Sequence, residues 1–120
     1  MKFVDIEELA AEFEGDEDIL DSVLKKFVGE IPNFLKELDG AAASNDAQAV
    51  AHAAHTFKGA ISTFFVTAVV EQAQKIEIDA KGGNVSNVNE DLDTLRKLVE
   101  QAVPELEEIC RVGLLKVVAS

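Results

Sequence analysis

The stretch AHAAHTFKGAISTFF, residues Ala51 to Phe65, contains both histidines of this 120-residue chain. At about 100° per residue, a helix here carries one apolar stripe, whose members are Val50, Ala54, Phe57, Ile61 and Phe64. His55 points roughly 130° away from the centre of that stripe, and His52 roughly 170° away in the opposite sense. We therefore predict an amphipathic helix over about residues 46–62, with neither histidine facing the core.

The residues before this stretch predict two further helices. Asp5 and Glu8 have the spacing of a capping box and open a short helix that Gly15 ends. Asp16 can cap a longer second helix, and because its apolar spacing continues across Pro32, we expect one bent helix rather than two. Its apolar side chains, three to four positions apart, are Ile19, Leu20, Val23, Leu24, Phe27, Ile31, Phe34, Leu35 and Leu38.

The boundaries of the later helices follow from turn and cap signals. The second helix is expected to stop at residues 39–40, and Asn45, three positions before Gln48, to open the histidine helix. A β-branched and aromatic run predicts a connection over residues 63–67. A fourth helix with Val69, Ala73, Ile76 and Ala80 inside should end at residues 81–83, a lysine followed by two glycines.

A fifth helix should open at Asn87, with Glu90 three positions later. Its apolar residues alternate spacings of four and three, the seam of a bundle helix, and they are Val88, Leu92, Leu95, Val99, Ala102, Leu106 and Ile109. Pro104 is expected to bend or fray its last turns, and residues 111–120 receive no assignment. Four long amphipathic helices with short loops predict an all-α domain over residues 1–120, an antiparallel up-down-up-down four-helix bundle capped by the short first helix.

Composition narrows the possible partners. The net charge of −12 predicts that neither nucleic acid nor an anionic membrane surface binds this chain. No window approaches the roughly 20 apolar residues of a membrane span, and the N-terminus lacks the apolar run of a signal peptide. Cys110 is the only cysteine, so an intrachain disulfide is impossible. We expect a cytoplasmic protein.

The chain offers few residues for catalysis or metal binding. It has no GxSxG, no P-loop and no Gly-rich phosphate cradle, and Cys110 is interpreted as an ordinary thiol. His52 and His55 could share a helix face loosely, but neither follows a glutamate at the Glu-x-x-His spacing of di-iron bundles. No metal site is therefore predicted.

His55 remains as an exposed nucleophile in its own right. A solvated imidazole is largely neutral at neutral pH and then has a free lone pair. Ala51 and Gly59, one turn on either side, are small and leave room for a partner to reach the ring. Lys58 can offer a point charge to a phosphoryl group. The competing interpretation is a solvated surface histidine, which is how we interpret His52.

The run His55-Thr56-Phe57-Lys58-Gly59 resembles the His-x-x-Lys-Gly motif of histidine-containing phosphotransfer (HPt) domains. The pattern from Phe13 to Pro32 and the loop at residues 44–46 resemble the same family. The similarity therefore covers about residues 5–110, nearly the whole chain.

Residues 60–64 are similar to the phosphorylated domain of chemotaxis-type histidine kinases, in which a glutamate on the next helix accepts a hydrogen bond from the histidine. The resemblance places that glutamate at Glu77, which would fix the tautomer of His55 and leave Nε2 as the nucleophile. Phe65 departs from the pattern because a glycine is usual there, and Ile61 because small residues are common. Both add bulk near the end of the histidine helix.

The resemblance implies a phosphorelay. His55 would take a phosphoryl group from the aspartate of a response-regulator receiver domain and pass it to another receiver, in a pathway fed by a sensor histidine kinase. The receiver would supply Mg²⁺, so the domain itself is expected to need no cofactor and to have no ATP site. We expect a monomer whose partner contacts are Ala51, Gly59, Ser62 and Gln74.

Two alternatives stay open. The chain could be the phospho-accepting domain cut from a chemotaxis-type kinase and fed by an ATP-binding domain, or a non-catalytic helical interaction module. The combination of His55, Lys58 and Gly59 argues against the second. Because the resemblance begins close to Met1, we expect a free-standing protein or an N-terminal domain.

Overall fold

The histidine helix predicted over residues 46–62 is α3, Ala47–Ser62, in a computed structural model that describes residues 1–119. The described residues form helices and connecting loops but no strand, so the predicted all-α class is confirmed for them. The other helices are α1, Ile6–Glu12; α2, Glu17–Ala43; α4, Thr67–Lys81; α5, Val88–Val112; and α6, Leu114–Ala119. Helix α6 lies in the tail that the sequence left unassigned.

The junction of α2 and α3 differs from the prediction. Helix α2 continues through Gly40 to Ala43, because one glycine costs a helix only about 1 kcal/mol and three alanines follow it. The N-cap of α3 is Asp46 rather than Asn45, and its carboxylate accepts a hydrogen bond from the backbone N–H of Ala49 at 3.1 Å. Asn45 instead supplies a left-handed turn, with φ of 53°.

The remaining boundaries agree with the sequence. Helix α4 ends at Lys81, and Gly83 follows with a positive φ. Helix α2 continues through Pro32 and is one helix as predicted. Helix α5 continues through Pro104 to Val112, so its last turns do not fray. Asn87 is the N-cap of α5, although its side chain makes no capping hydrogen bond.

The core is formed by the predicted stripes of α3, α4 and α5, all of whose apolar residues are buried. Helix α2 differs: Ile19 and Val23 were predicted to face the core but are 57% and 40% exposed. On a helix they lie roughly 60–100° to one side of the buried row that contains Leu20 and Leu24. The apolar surface of α2 is therefore wider than its neighbours cover.

An aromatic cluster fixes the side of α3 that faces inwards. The ring of Phe57 packs against those of Phe27 and Phe34, with centroids 6.3 and 5.4 Å away. The ring of Phe64 lies 5.0 Å from that of Phe27. Because α2 and α3 are joined through these rings, the opposite side of α3, with His55, is turned outwards.

The contacts between helices fix the neighbours of α3. Helix α3 packs against α2 and α4, and α5 packs against the same two helices. The short helices α1 and α6 contact each other, and α6 also contacts α5. The face of α3 that carries His55 is thereby placed next to α4, whose residues complete the site.

Candidate functional site

His55 lies on the outer face of α3, with 64% of its side chain exposed. Its Nδ1 is 2.9 Å from Oε2 of Glu77, which projects from α4. The structure thus places Glu77 against the histidine, as the resemblance implied. One ring edge is held by the protein while the ring remains open to solvent.

Glu77 is the buried acid of the site, with only 3% of its side chain exposed. Two lysines contact its carboxylate: Lys58 Nζ lies 2.6 Å from Oε1, and Lys81 Nζ lies 3.0 Å from Oε2. The ion pair with Lys58 is the contact that compensates the charge on Oε1. These cations and His55 compensate for the burial of a charged group.

The surroundings of Glu77 lower the pKa of its carboxyl group from the usual 4.5 to about 2. The main cause is Lys58, with further contributions from Lys81 and His55, and burial opposes them. Glu77 is therefore ionised at neutral pH and can only accept hydrogen bonds. The proton of the shared hydrogen bond then resides on His55 Nδ1, so the lone pair of a neutral ring is on Nε2.

The local sequence explains how these groups meet. Lys58 follows His55 by three residues on α3, and Lys81 follows Glu77 by four residues on α4, so each pair shares one helix face. The packing of α3 against α4 brings the two faces together. Lys58 is 25% exposed, whereas Lys81 is 66% exposed.

The four predicted partner contacts fall into two groups. Gly59, Ser62 and Gln74 are exposed on α3 and α4. Ala51 is buried at 9% exposure, so it does not share their open surface. A Cβ atom at Gly59 would meet nothing within 4 Å, so the fold of this chain does not require a glycine there.

Lys81 is the site residue that the sequence analysis missed. Its position four residues after Glu77 was the available signal, because lysine and glutamate at that spacing meet on a helix. His52 is exposed on α3, and no contact joins it to Glu77 in the described structure. It therefore lies outside the cluster around Glu77.

Neither a metal-binding cluster nor a membrane-spanning helix occurs within residues 1–119. No group of three or more His, Cys, Asp or Glu side chains there could hold a metal ion. None of the described helices combines the length and the apolar character needed to cross a membrane. Cys110 is partly buried, and this burial raises the pKa of its thiol, which makes it less reactive.

Comparison with known families agrees with this geometry. The family model of the Hpt domain matches residues 22–111, which include His55, Lys58, Glu77 and Lys81. This chain belongs to the Hpt family. Proteins of this family carry phosphoryl groups in phosphorelays with receiver domains and histidine kinases, and are not themselves kinases.

A solved structure shows the same fold. The chain resembles the crystal structure of histidine-containing phosphotransfer protein B (HptB) from Pseudomonas aeruginosa PAO1, with a TM-score of 0.85 at 24% sequence identity. The match covers 91% of this chain and 95% of HptB. No curated protein matches the sequence.

Proposed function

We propose that His55 is the phosphorylated residue of this Hpt domain, accepting a phosphoryl group from the aspartate of one receiver domain and passing it to another. The observation that carries the proposal is the hydrogen bond between His55 Nδ1 and the buried, ionised Glu77, on a ring that is 64% exposed. This arrangement orients the lone pair of Nε2 outwards, towards a partner.

The transfer step follows from that tautomer. Nε2 forms a bond to phosphorus while the bond between phosphorus and the aspartate oxygen breaks, and the aspartate leaves as a carboxylate. The ring becomes positively charged, since Nδ1 keeps its proton. The carboxylate of Glu77 at 2.9 Å stabilises that charge. The reverse step delivers the phosphoryl group to the second receiver.

Lys58 supports the proposal through its charge. Its ammonium group has three N–H donors, and the contact with Glu77 Oε1 leaves donors for the oxygens of a phosphoryl group. A cation beside the reacting histidine stabilises the negative charge of the group in transfer. We infer that Mg²⁺ is bound by the receiver and that this domain provides no ATP site of its own.

An apolar groove beside the site is the surface that we assign to the docked receiver. The groove has a volume of about 490 Å³ and includes Ile19, Val23, Ala60 and Thr63. Thr63 is about 12 Å from His55 along the axis of α3. A partner that covers about 800 Å² around His55 extends over this groove. The exposed Ile19 and Val23 would then be buried in the complex.

The frame that presents His55 is inferred to be an antiparallel four-helix bundle forming one domain. The closed ring of contacts from α2 to α3, α4, α5 and back to α2, together with short connections, supports this arrangement. We further infer a monomer that acts in the cytoplasm, in keeping with its net charge of −12.

The test is phosphorylation by purified receiver domains that carry a phosphoaspartate. The wild-type protein should gain an acid-labile, alkali-stable phosphate. The label should disappear in His55→Gln and persist in His52→Gln, the matched control on the same helix. Labelling that survives His55→Gln would contradict the assignment. Labelling only by a kinase's ATP-binding domain would instead favour the phospho-accepting domain of a kinase.

A further inference from the structure

Lys81 and His55 share one acceptor atom. His55 Nδ1 and Lys81 Nζ lie 2.9 and 3.0 Å from the same Oε2 of Glu77. The two nitrogens are therefore no further apart than about 6 Å, a distance at which neighbouring charges interact strongly. Lys81 thus lies beside the ring that is proposed to carry the phosphoryl group.

The charges around Glu77 do not balance. One carboxylate is contacted by two ammonium groups, from Lys58 and Lys81, while His55 is neutral in the tautomer described above. The cluster therefore has one surplus positive charge in a chain whose net charge is −12. A phosphoryl group brings negative charge on its oxygens, which this surplus would help to offset.

The two lysines differ in solvent exposure. The side chain of Lys58 is 25% exposed, whereas that of Lys81 is 66% exposed. Oε2 of Glu77 also accepts a hydrogen bond from His55, so it keeps a donor if Lys81 moves away. The four methylene groups of Lys81 allow the ammonium to move from Oε2 towards Nε2 without any change in the backbone.

We propose that Lys81 is a second phosphoryl-binding cation, which moves from Glu77 to the phosphoryl group once His55 is phosphorylated. This role rests on the proposed function, since it needs the phosphoryl group on Nε2. Lys58 would then remain the principal counter-ion of Glu77, while Lys81 joins it in neutralising the phosphoryl oxygens.

The test uses phosphoramidate as a small phosphoryl donor, so no receiver is needed. Nε2 of His55 displaces ammonia from phosphorus, and the product is followed by ³¹P NMR across a pH titration. A cation in contact with the phosphoryl group favours its dianion. Because loss of a neighbouring cation raises a pKa, the ionisation of phosphorylated His55 that the ³¹P signal reports should shift upwards by roughly half a pH unit in Lys81→Met and return to the wild-type value in Lys81→Arg.

The control is Lys75→Met, which removes a charge from the same helix. Lys75 is 53% exposed and pairs with Asp79 and Asp91, away from Glu77, so its loss should leave the titration unchanged. A titration in Lys81→Met that equals the wild type would overturn the role of Lys81 alone. A wild-type protein that gains no phosphate on His55 would contradict the proposed function as well, so the two failures can be told apart.

Discussion

At the scale of single residues, the site depends on one buried carboxylate. Glu77 holds the ring of His55 and is itself held by Lys58 and Lys81. His55, Lys58 and Glu77 could be predicted from motif and resemblance. Lys81 could not be ranked above other surface lysines, because sequence spacing alone does not reveal that Glu77 is buried and needs compensating charge.

The lowered pKa of Glu77 predicts an acid-sensitive contribution to stability. Folding lowers this pKa from 4.5 to about 2, so the ionised carboxylate stabilises the fold above pH 4.5, and the effect is lost as the pH falls towards 2. Glu77→Gln removes that contribution. The difference in free energy of unfolding between wild type and variant should therefore shrink as the pH falls from 4.5 to 2.

Urea unfolding at several pH values measures this difference. Glu71→Gln is the matched control, because Glu71 is exposed on the same helix and its replacement should change stability little at any pH. A difference between wild type and Glu77→Gln that stays constant down to pH 2 would show that Glu77 is not held ionised by its lysines.

At the scale of the secondary-structure elements, the backbone that follows α3 shows why a glycine is usual at position 65. Phe65 stands where a glycine is usual, and its φ is +57°, a left-handed conformation that glycine adopts without strain. Its ring is partly buried against the core. The sequence indicated a connection here but not its backbone conformation, because turn geometry depends on how α3 and α4 pack.

Truncation of the neighbouring residues Phe64 and Phe65 should therefore lower the free energy of unfolding by different amounts. Phe64 is 3% exposed, and Phe64→Ala should lower the free energy of unfolding by about 3–5 kcal/mol. Phe65→Gly loses a partly buried ring but relieves backbone strain of about 1–2 kcal/mol, so its net cost should be below about 1.5 kcal/mol. Chemical denaturation of both variants measures this contrast. Equal costs would show that the left-handed conformation carries no strain.

At the scale of the whole molecule, the N-terminal segment ties distant parts of the chain together. The carboxylate of Glu105 on α5 accepts hydrogen bonds from the backbone N–H groups of Lys2, Phe3 and Val4, at 2.9–3.2 Å. The N–H of Asp5 then donates to the carbonyl of Phe65. Helical periodicity predicted the long helices well, since each depends on local spacing. It could not predict this tether, whose partners lie about a hundred residues apart.

Removing the Glu105 carboxylate should loosen the N-terminal segment. In Glu105→Ala the N–H groups of Phe3 and Val4 lose their acceptor, and hydrogen bonds to a charged group contribute about 1.5–3 kcal/mol. We expect a loss of about that size in the free energy of unfolding, together with faster hydrogen exchange at residues 3–5.

The control is Glu107→Ala, because Glu107 is an exposed acid on the same helix. Since Phe65 is held by Asp5, exchange should also rise at residues 63–66, which follow the histidine helix. Unchanged exchange in both segments would show that the buried Val4, rather than Glu105, fastens this end of the protein.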